Sequence, residues 1–160
     1  FFHKSAAHRD LHPFPTRRSS DLNPEWTIYT RPRHLPSSAI TGCDVQRAIV
    51  TEGCRLEKAK IENASIGIRS WVRAGSHLRD VVMMGGDFYE RNRSIGLPAV
   101  GVGEDSFIER AILDKNVRIG RNVHIRDHSG EPDGDFENYH IRDGVVVVPK
   151  NTVIPDGSVI

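Results

Sequence analysis

Missing from this chain is any apolar run near the roughly 20 residues that a membrane-spanning helix requires, so no membrane partner is expected. Cysteine is scarce. Cys43 and Cys54 are the whole complement, too few for a secreted disulfide scaffold and without the spacing of zinc ligands. A reducing, cytoplasmic setting is therefore expected, and no metal site. An excess of one charge is also missing: 22 Lys and Arg face 21 Asp and Glu, and beyond residue 22 the balance is 18 to 19. A nearly neutral body argues against a broad polyanion-binding surface, so no nucleic-acid partner is expected, although a single phosphate pocket stays compatible. The 14 glycines include no strand-to-helix Gly-rich loop of the kind that cradles nucleotide phosphates, and no HExxH metal motif occurs.

The opening stretch FFHKSAAHRDLHPFPTRRSSDL has no initiator Met, no apolar periodicity and three of the eight histidines. Residues 1–22 are expected to form a disordered, non-native tail resembling translated adapter sequence. An organelle transit peptide would share its Arg and Ser content, but no amphipathic stripe is present. Residues 23–39 read as a linker or entry segment. From residue 40 to 160 a repeat takes over. Four blocks align: Val45–Val50, Ile61–Ile66, Leu78–Met83 and Ile108–Leu113. Each runs aliphatic, two polar, one small or branched, then apolar. Aliphatic residues also recur at steps of six, from Val50 to Leu56, Ile66 to Val72 to Leu78, Val102 to Ile108, Leu113 to Ile119 to Ile125, and Val148 to Ile154 to Ile160. A helix would want steps of three and four, a simple strand steps of two. Six suits a short strand and a turn on each side of a three-sided coil, with the aliphatic ladder stacked inward and Gly, Asn or Pro at the corners. The fold class expected is all-β, a parallel β-helix of hexapeptide repeats. A β-sandwich is the competing arrangement, but its hairpins and alternation do not step at six. Two stretches break the step, Gly85 to Gly101 and Asp127 to Tyr139. Both read as loops ejected from the coil, where function tends to sit.

Five segments, in order, resemble the ADP-glucose pyrophosphorylases, or glucose-1-phosphate adenylyltransferases. They are IYTRPRHLP at 28–36, GIRS at 67–70, MGGDFYE at 84–90, ILDKNVRIG at 112–120 and GVVVVPK at 144–150. The resemblance covers about Asn23 to Ile160. It implies a left-handed coil, an exception to the usual right-handed parallel crossover. It implies an enzyme making ADP-glucose and pyrophosphate from ATP and glucose 1-phosphate for glycogen or starch synthesis, in the cytoplasm or in a plastid if the source is a plant or alga. In that family a separate N-terminal nucleotidyltransferase domain carries catalysis, with ATP and Mg²⁺. No cofactor and no catalytic residue is expected in the present segment, which would be inactive alone. Its expected partners are that missing domain, a phosphorylated sugar-metabolite effector and further subunits of a homo- or hetero-oligomer.

The resemblance points to Lys150 as an effector-binding residue, since plant and cyanobacterial members place an activator lysine there; an ordinary solvated corner lysine is the alternative. A second such lysine aligns near His128, which would bind phosphate only when protonated. Arg33, with Arg31, is a candidate for effector phosphate or for the missing domain, against plain surface charge. Arg69 and Lys115 read as braces for rungs or subunits. A hexapeptide-repeat acyltransferase, using His128 or His140 as general base, is the rival enzyme reading. A non-enzymatic assembly module is the third.

Overall fold

The computed structural model describes residues 33–90 and 96–160. The chain divides into two compact units, Phe1–His34 and Leu35–Ile160. The first contributes only Arg33 and His34 to the described residues, both exposed. The expectations for residues 1–22 and 23–32 lie outside them.

In the second unit each turn of the chain visits three faces in succession. The first coil is β1 (Ala39–Thr41), β2 (Asp44–Gln46) and β3 (Ile49–Val50); the second is β4 (Arg55–Glu57), β5 (Lys60–Glu62) and β6 (Ser65–Ile66). In the third coil β7 (Trp71–Val72) is followed by β8 (His77–Met83), which bends round a corner to serve both remaining faces. The fourth repeats this with β9 (Gly101–Val102) and β10 (Phe107–Leu113). The fifth runs β11 (Arg118–Ile119) and β12 (His124–Ile125), detours through β13 (Gly134–Asp135) and β14 (His140–Arg142), and closes with β15 (Val145–Val148). A sixth begins at β16 (Val153–Ile154).

Coil-to-coil pairing is parallel, and the register explains the six-residue steps. On the first face Ile40, Leu56, Val72, Val102, Ile119 and Ile154 stand one above another. Val45, Ile61, Leu78, Ile108 and Ile125 do so on the second face, and Val50, Ile66, Met83, Leu113 and Val148 on the third. A step of six moves an aliphatic side chain from the third inner face to the first, as from Ile66 to Val72 and Leu113 to Ile119, and a step of five from the second to the third, as from Ile61 to Ile66 and Ile108 to Leu113. Leu56, Ile61, Ile66, Val72, Leu78, Ile108, Leu113, Ile119 and Ile125 are all fully buried, whereas Ile40, at the open first coil, is half exposed. Uninterrupted coils take 16 residues, as from Arg55 to Trp71, or 17, as from Gly101 to Arg118. The two ejected loops appear as jumps: Val72 pairs with Val102, 30 residues on, and Ala111 with Val146, 35 on.

The corners demand left-handed backbone. Between the second and third faces Arg47, Asn63, Asp80 and Arg110 have φ of 48°, 52°, 56° and 48°; between the third and first, Gly53, Arg69, Asn116 and Asn151 have 72°, 58°, 60° and 62°. Asn tolerates this conformation, and the sequence reading assigned it to corners for that reason. Arg47, Arg69 and Arg110 show that closure of the coil overrides residue preference.

The second interruption is not all loop. Asp143 (φ 49°) and Gly144 (φ 75°) form a two-residue turn, with Arg142 opposite Val145 in an antiparallel pair. Two successive positive φ values are the geometry of a type I′ hairpin, for which Asp-Gly is a preferred sequence. β14 thus lies antiparallel on the outer edge of β15 and β13 on that of β14. Ile141, 4% exposed, extends the inner layer of Val81, Ala111 and Val146.

Candidate functional site

The corner between the third and first faces holds two copies of one dipeptide on adjacent coils. Lys115-Asn116 precedes β11, Lys150-Asn151 precedes β16, and β11 and β16 pair directly, Arg118 against Val153. The stack is tied by the Asn151 amide, which donates to the Lys115 carbonyl (3.0 Å), and by Asn116 Nδ2, which donates to Asn151 Oδ1 (3.0 Å). Two lysine ammonium groups and one buried carboxamide therefore share a small patch of surface.

Into this patch the first ejected loop brings Asp87. Lys150 Nζ donates to Asp87 Oδ2 (2.7 Å), Lys115 Nζ to Oδ1 (3.1 Å), and Asn116 Nδ2 to Oδ2 (3.2 Å). The Asp87 amide returns a bond to Asn116 Oδ1 (2.8 Å). These donors, Lys150 first, hold the Asp87 carboxyl far below the ordinary carboxylate range. Reciprocally, Lys150 is raised, mainly by Asp87. The three charged side chains are between 38% and 48% exposed, so solvent reaches all of them. Chemically the corner is an oxyanion site: compact cations and a neutral N–H donor converge from two coils on one acidic group.

The rest of the loop is anchored separately. Tyr89 Oη donates to the Gly53 carbonyl (3.0 Å). Glu90 accepts from Arg118 Nη1 (2.6 Å) and from the Val100 amide (3.1 Å). Arg69 Nη1 donates to the Gly86 carbonyl (3.2 Å), and its guanidinium lies over the Tyr89 ring. Arg69 thus braces this loop, and Lys115 meets it through Asp87. Beneath it, on the first face, Trp71 lies against the guanidinium groups of Arg55 (4.7 Å) and Arg73 (4.2 Å).

His128 sits elsewhere. Its amide donates to the Gly144 carbonyl (3.2 Å) at the entry to the third face, whereas Lys150 lies at the exit, beyond β15. The imidazole is buried, and its Nδ1 is 2.7 Å from Glu131 Oε2. Glu131 also accepts from Arg126 (2.6 Å), and these two partners, Arg126 first, lower its pKa. His140 pairs with Asp135 (2.8 Å), a carboxylate shared with Arg142 and lowered by both, Arg142 first. His124 stacks on Phe107 with ring centroids 6.5 Å apart. Arg33 belongs to the other compact unit. Lys150, one of the three residues singled out for effector binding, lies among the donors that converge on Asp87, whereas His128 shares Glu131 with Arg126.

The sequence reading missed Asp87 and the pairing of Lys115 with Lys150. Both Lys-Asn dipeptides were visible, as was the Asp of MGGDFYE. The available signal was the repetition of Lys-Asn before two aliphatic steps of the same face.

A stack of parallel three-sided coils with a near-six-residue aliphatic step and loops ejected at corners defines a hexapeptide-repeat β-helix protein. The family described as the GLGC left-handed parallel beta-helix domain matches residues 33–159. The chain belongs to that family, the C-terminal β-helix region of the ADP-glucose pyrophosphorylases, and its coil is left-handed.

Proposed function

We propose that this chain is the regulatory and assembly region of a glucose-1-phosphate adenylyltransferase, the enzyme that converts ATP and glucose 1-phosphate to ADP-glucose and pyrophosphate in glycogen or starch synthesis. On this reading the chemistry belongs to an N-terminal nucleotidyltransferase domain. The β-helix binds a phosphorylated sugar-metabolite effector and packs against other parts of the assembly. Family membership over residues 33–159 supports the enzyme class. The observation that carries the regulatory half is the convergence of Lys115, Lys150 and Asn116 on one anion position. Lys150 supplies the accessible ammonium, Lys115 the second charge, and Asn116 a neutral donor to the oxygen that Lys150 also holds.

The third face supports the assembly half. Ile49, Val82 and Met84 expose 51%, 45% and 47% of their surface, and outward Val82, Ile112 and Val147 lie in register on neighbouring strands. Apolar strips of this kind mark surfaces that pack against another domain or copy.

The test is Lys150→Ala in an enzyme that carries both domains. Activation by phosphorylated sugars is expected to weaken by about tenfold or more, in line with the loss of a charge-assisted contact of about 1.5–3 kcal/mol, while activity without activator stays near that of the parent. An unchanged activator response would remove Lys150 from the site.

A further inference from the structure

Asp87 occupies the very position that an effector phosphate would need. Its carboxylate takes both lysines and the Asn116 amide at once, with contacts of 2.7, 3.1 and 3.2 Å. A phosphate held by Lys115, Lys150 and Asn116 together would have to take the place of this carboxylate. Two observations separate this contact from a plain structural brace. The loop that bears Asp87 is fastened without it, by Tyr89 to Gly53 and by Glu90 to Arg118 and the Val100 amide. The segment leading into Asp87 is Gly85-Gly86, with Gly85 at φ 91°, anchored by the Gly86 amide on the Ile68 carbonyl (2.8 Å). The Asp87 side chain, 38% exposed, faces solvent at the outer edge of the coil and can turn away while its backbone stays in place.

We propose that Asp87 is a built-in competitor for the effector's phosphate: the carboxylate holds the Lys115–Lys150 corner closed in the free protein, and a bound phosphate displaces it. The inference rests on the effector-binding reading of that corner and adds how occupancy is regulated. A phosphate carries about 1.5 to 2 negative charges at neutral pH and three acceptor oxygens against the single charge and two oxygens of a carboxylate. It therefore satisfies Lys115, Lys150 and Asn116 better than Asp87 does. The intramolecular carboxylate, however, is always present at high local concentration. The result is a threshold: the effector binds only where its concentration outweighs the tethered acid. Because the occupied and empty states differ at Asp87, the exchange also reports to the loop that covers the first face.

The experiment is a calorimetric titration of the full chain with inorganic phosphate, for the parent, Asp87→Asn and Lys150→Ala, together with carboxyl ¹³C NMR of Asp87 in the parent. Asp87→Asn keeps the side-chain shape and removes the charge. It is expected to bind phosphate about three- to tenfold more tightly, the range that removing two exposed ion-pair contacts allows. Lys150→Ala is expected to bind far more weakly, and the Asp87 carboxyl resonance of the parent to shift as phosphate is added. Equal or weaker binding by Asp87→Asn, or an Asp87 resonance that stays still while phosphate binds in a Lys150-dependent way, would overturn the competitor and leave the effector site standing. Phosphate binding absent from both parent and Asp87→Asn, or unaffected by Lys150→Ala, would overturn the effector reading of the corner and the competitor with it.

Discussion

Single residues decide whether the coils can approach one another. At Gly103 a Cβ would fall 2.1 Å from the Gly120 carbonyl oxygen and 2.4 Å from its carbon, both backbone atoms of the next coil. Neither can move without breaking the Gly103 to Ile119 hydrogen bond that joins the two coils. Gly103→Ala is therefore expected to lower stability by about 3 kcal/mol, at the upper end of overpacking costs. Gly130→Ala, where no atom lies within 4 Å but φ is 86°, should cost only about the 1–2 kcal/mol of left-handed strain. Denaturant unfolding of the two variants checks the difference, and equal losses would show that contact with the next coil is not what Gly103 protects. The corners follow similar logic. Asn116 and Asn151 combine a tolerated positive φ with a side-chain bond to each other.

At the scale of elements, strand pairs close the coil and the ejected loops are held by few bonds. The ion pair of Arg118 with Glu90 is the principal clamp of the first loop, its side chains only 15% and 13% exposed. Arg118 Nη1 also donates to the Pro98 carbonyl (2.7 Å). Arg118→Met strands the Glu90 carboxylate and is expected to cost about 3 kcal/mol, the lower range for breaking a largely buried pair. Glu90→Gln, which retains an acceptor for the Val100 amide, should cost less. Hydrogen exchange at Val100 measures this directly: faster exchange in Arg118→Met than in Glu90→Gln is the expected order, and the reverse would assign the clamp elsewhere. Much of the element layout was legible. Aliphatic residues five or six apart fall on successive inner faces, and three such steps make the 16 or 17 residues of a coil. The β14–β15 hairpin was not read, although Asp143-Gly144 carried its signal, because a search for steps of six sees only parallel stacking.

Taken whole, the coil turns three chemically different sides outward. The second side carries ion pairs, Lys60 with Glu62 along β5 and Arg79 with Glu109 between β8 and β10. The third is apolar and the first is roofed by a loop. Five carboxylates, Glu62, Asp87, Asp127, Glu131 and Asp135, have pKa values below their ordinary 4.5 or 3.8, each held down first by a neighbouring side-chain donor. A group whose pKa is lower folded than unfolded contributes stability above the unfolded value and loses it as pH falls through the folded one. The denaturation midpoint is therefore expected to hold from pH 7 to about 5 and to fall progressively below about 4, the window set by those lowered carboxylates. Because Asp87, Glu131 and Asp135 are exposed and Glu62 and Asp127 only half-buried, 0.5 M salt should flatten the fall. A midpoint independent of pH between 5 and 3 would show that these pairs add nothing to the native state.

What the sequence determined by itself was the coil: its period, its inward ladder, the places where loops leave it, and the family, carried by segments that lie outside the repeat as well as within it. These are local properties, since a six-residue step is set by strand and corner lengths before any contact between coils forms. Which corners stand together only the tertiary structure decided. Lys115 and Lys150 are 35 residues apart, and Asp87 is 28 and 63 residues from them. No local pattern relates residues at such separations, because the length of the ejected loops, not the repeat, sets how far apart stacked positions fall in the chain. The Lys-Asn corner first marked at Lys150 is thus a property of the stacked coils, and so is the acid that closes it.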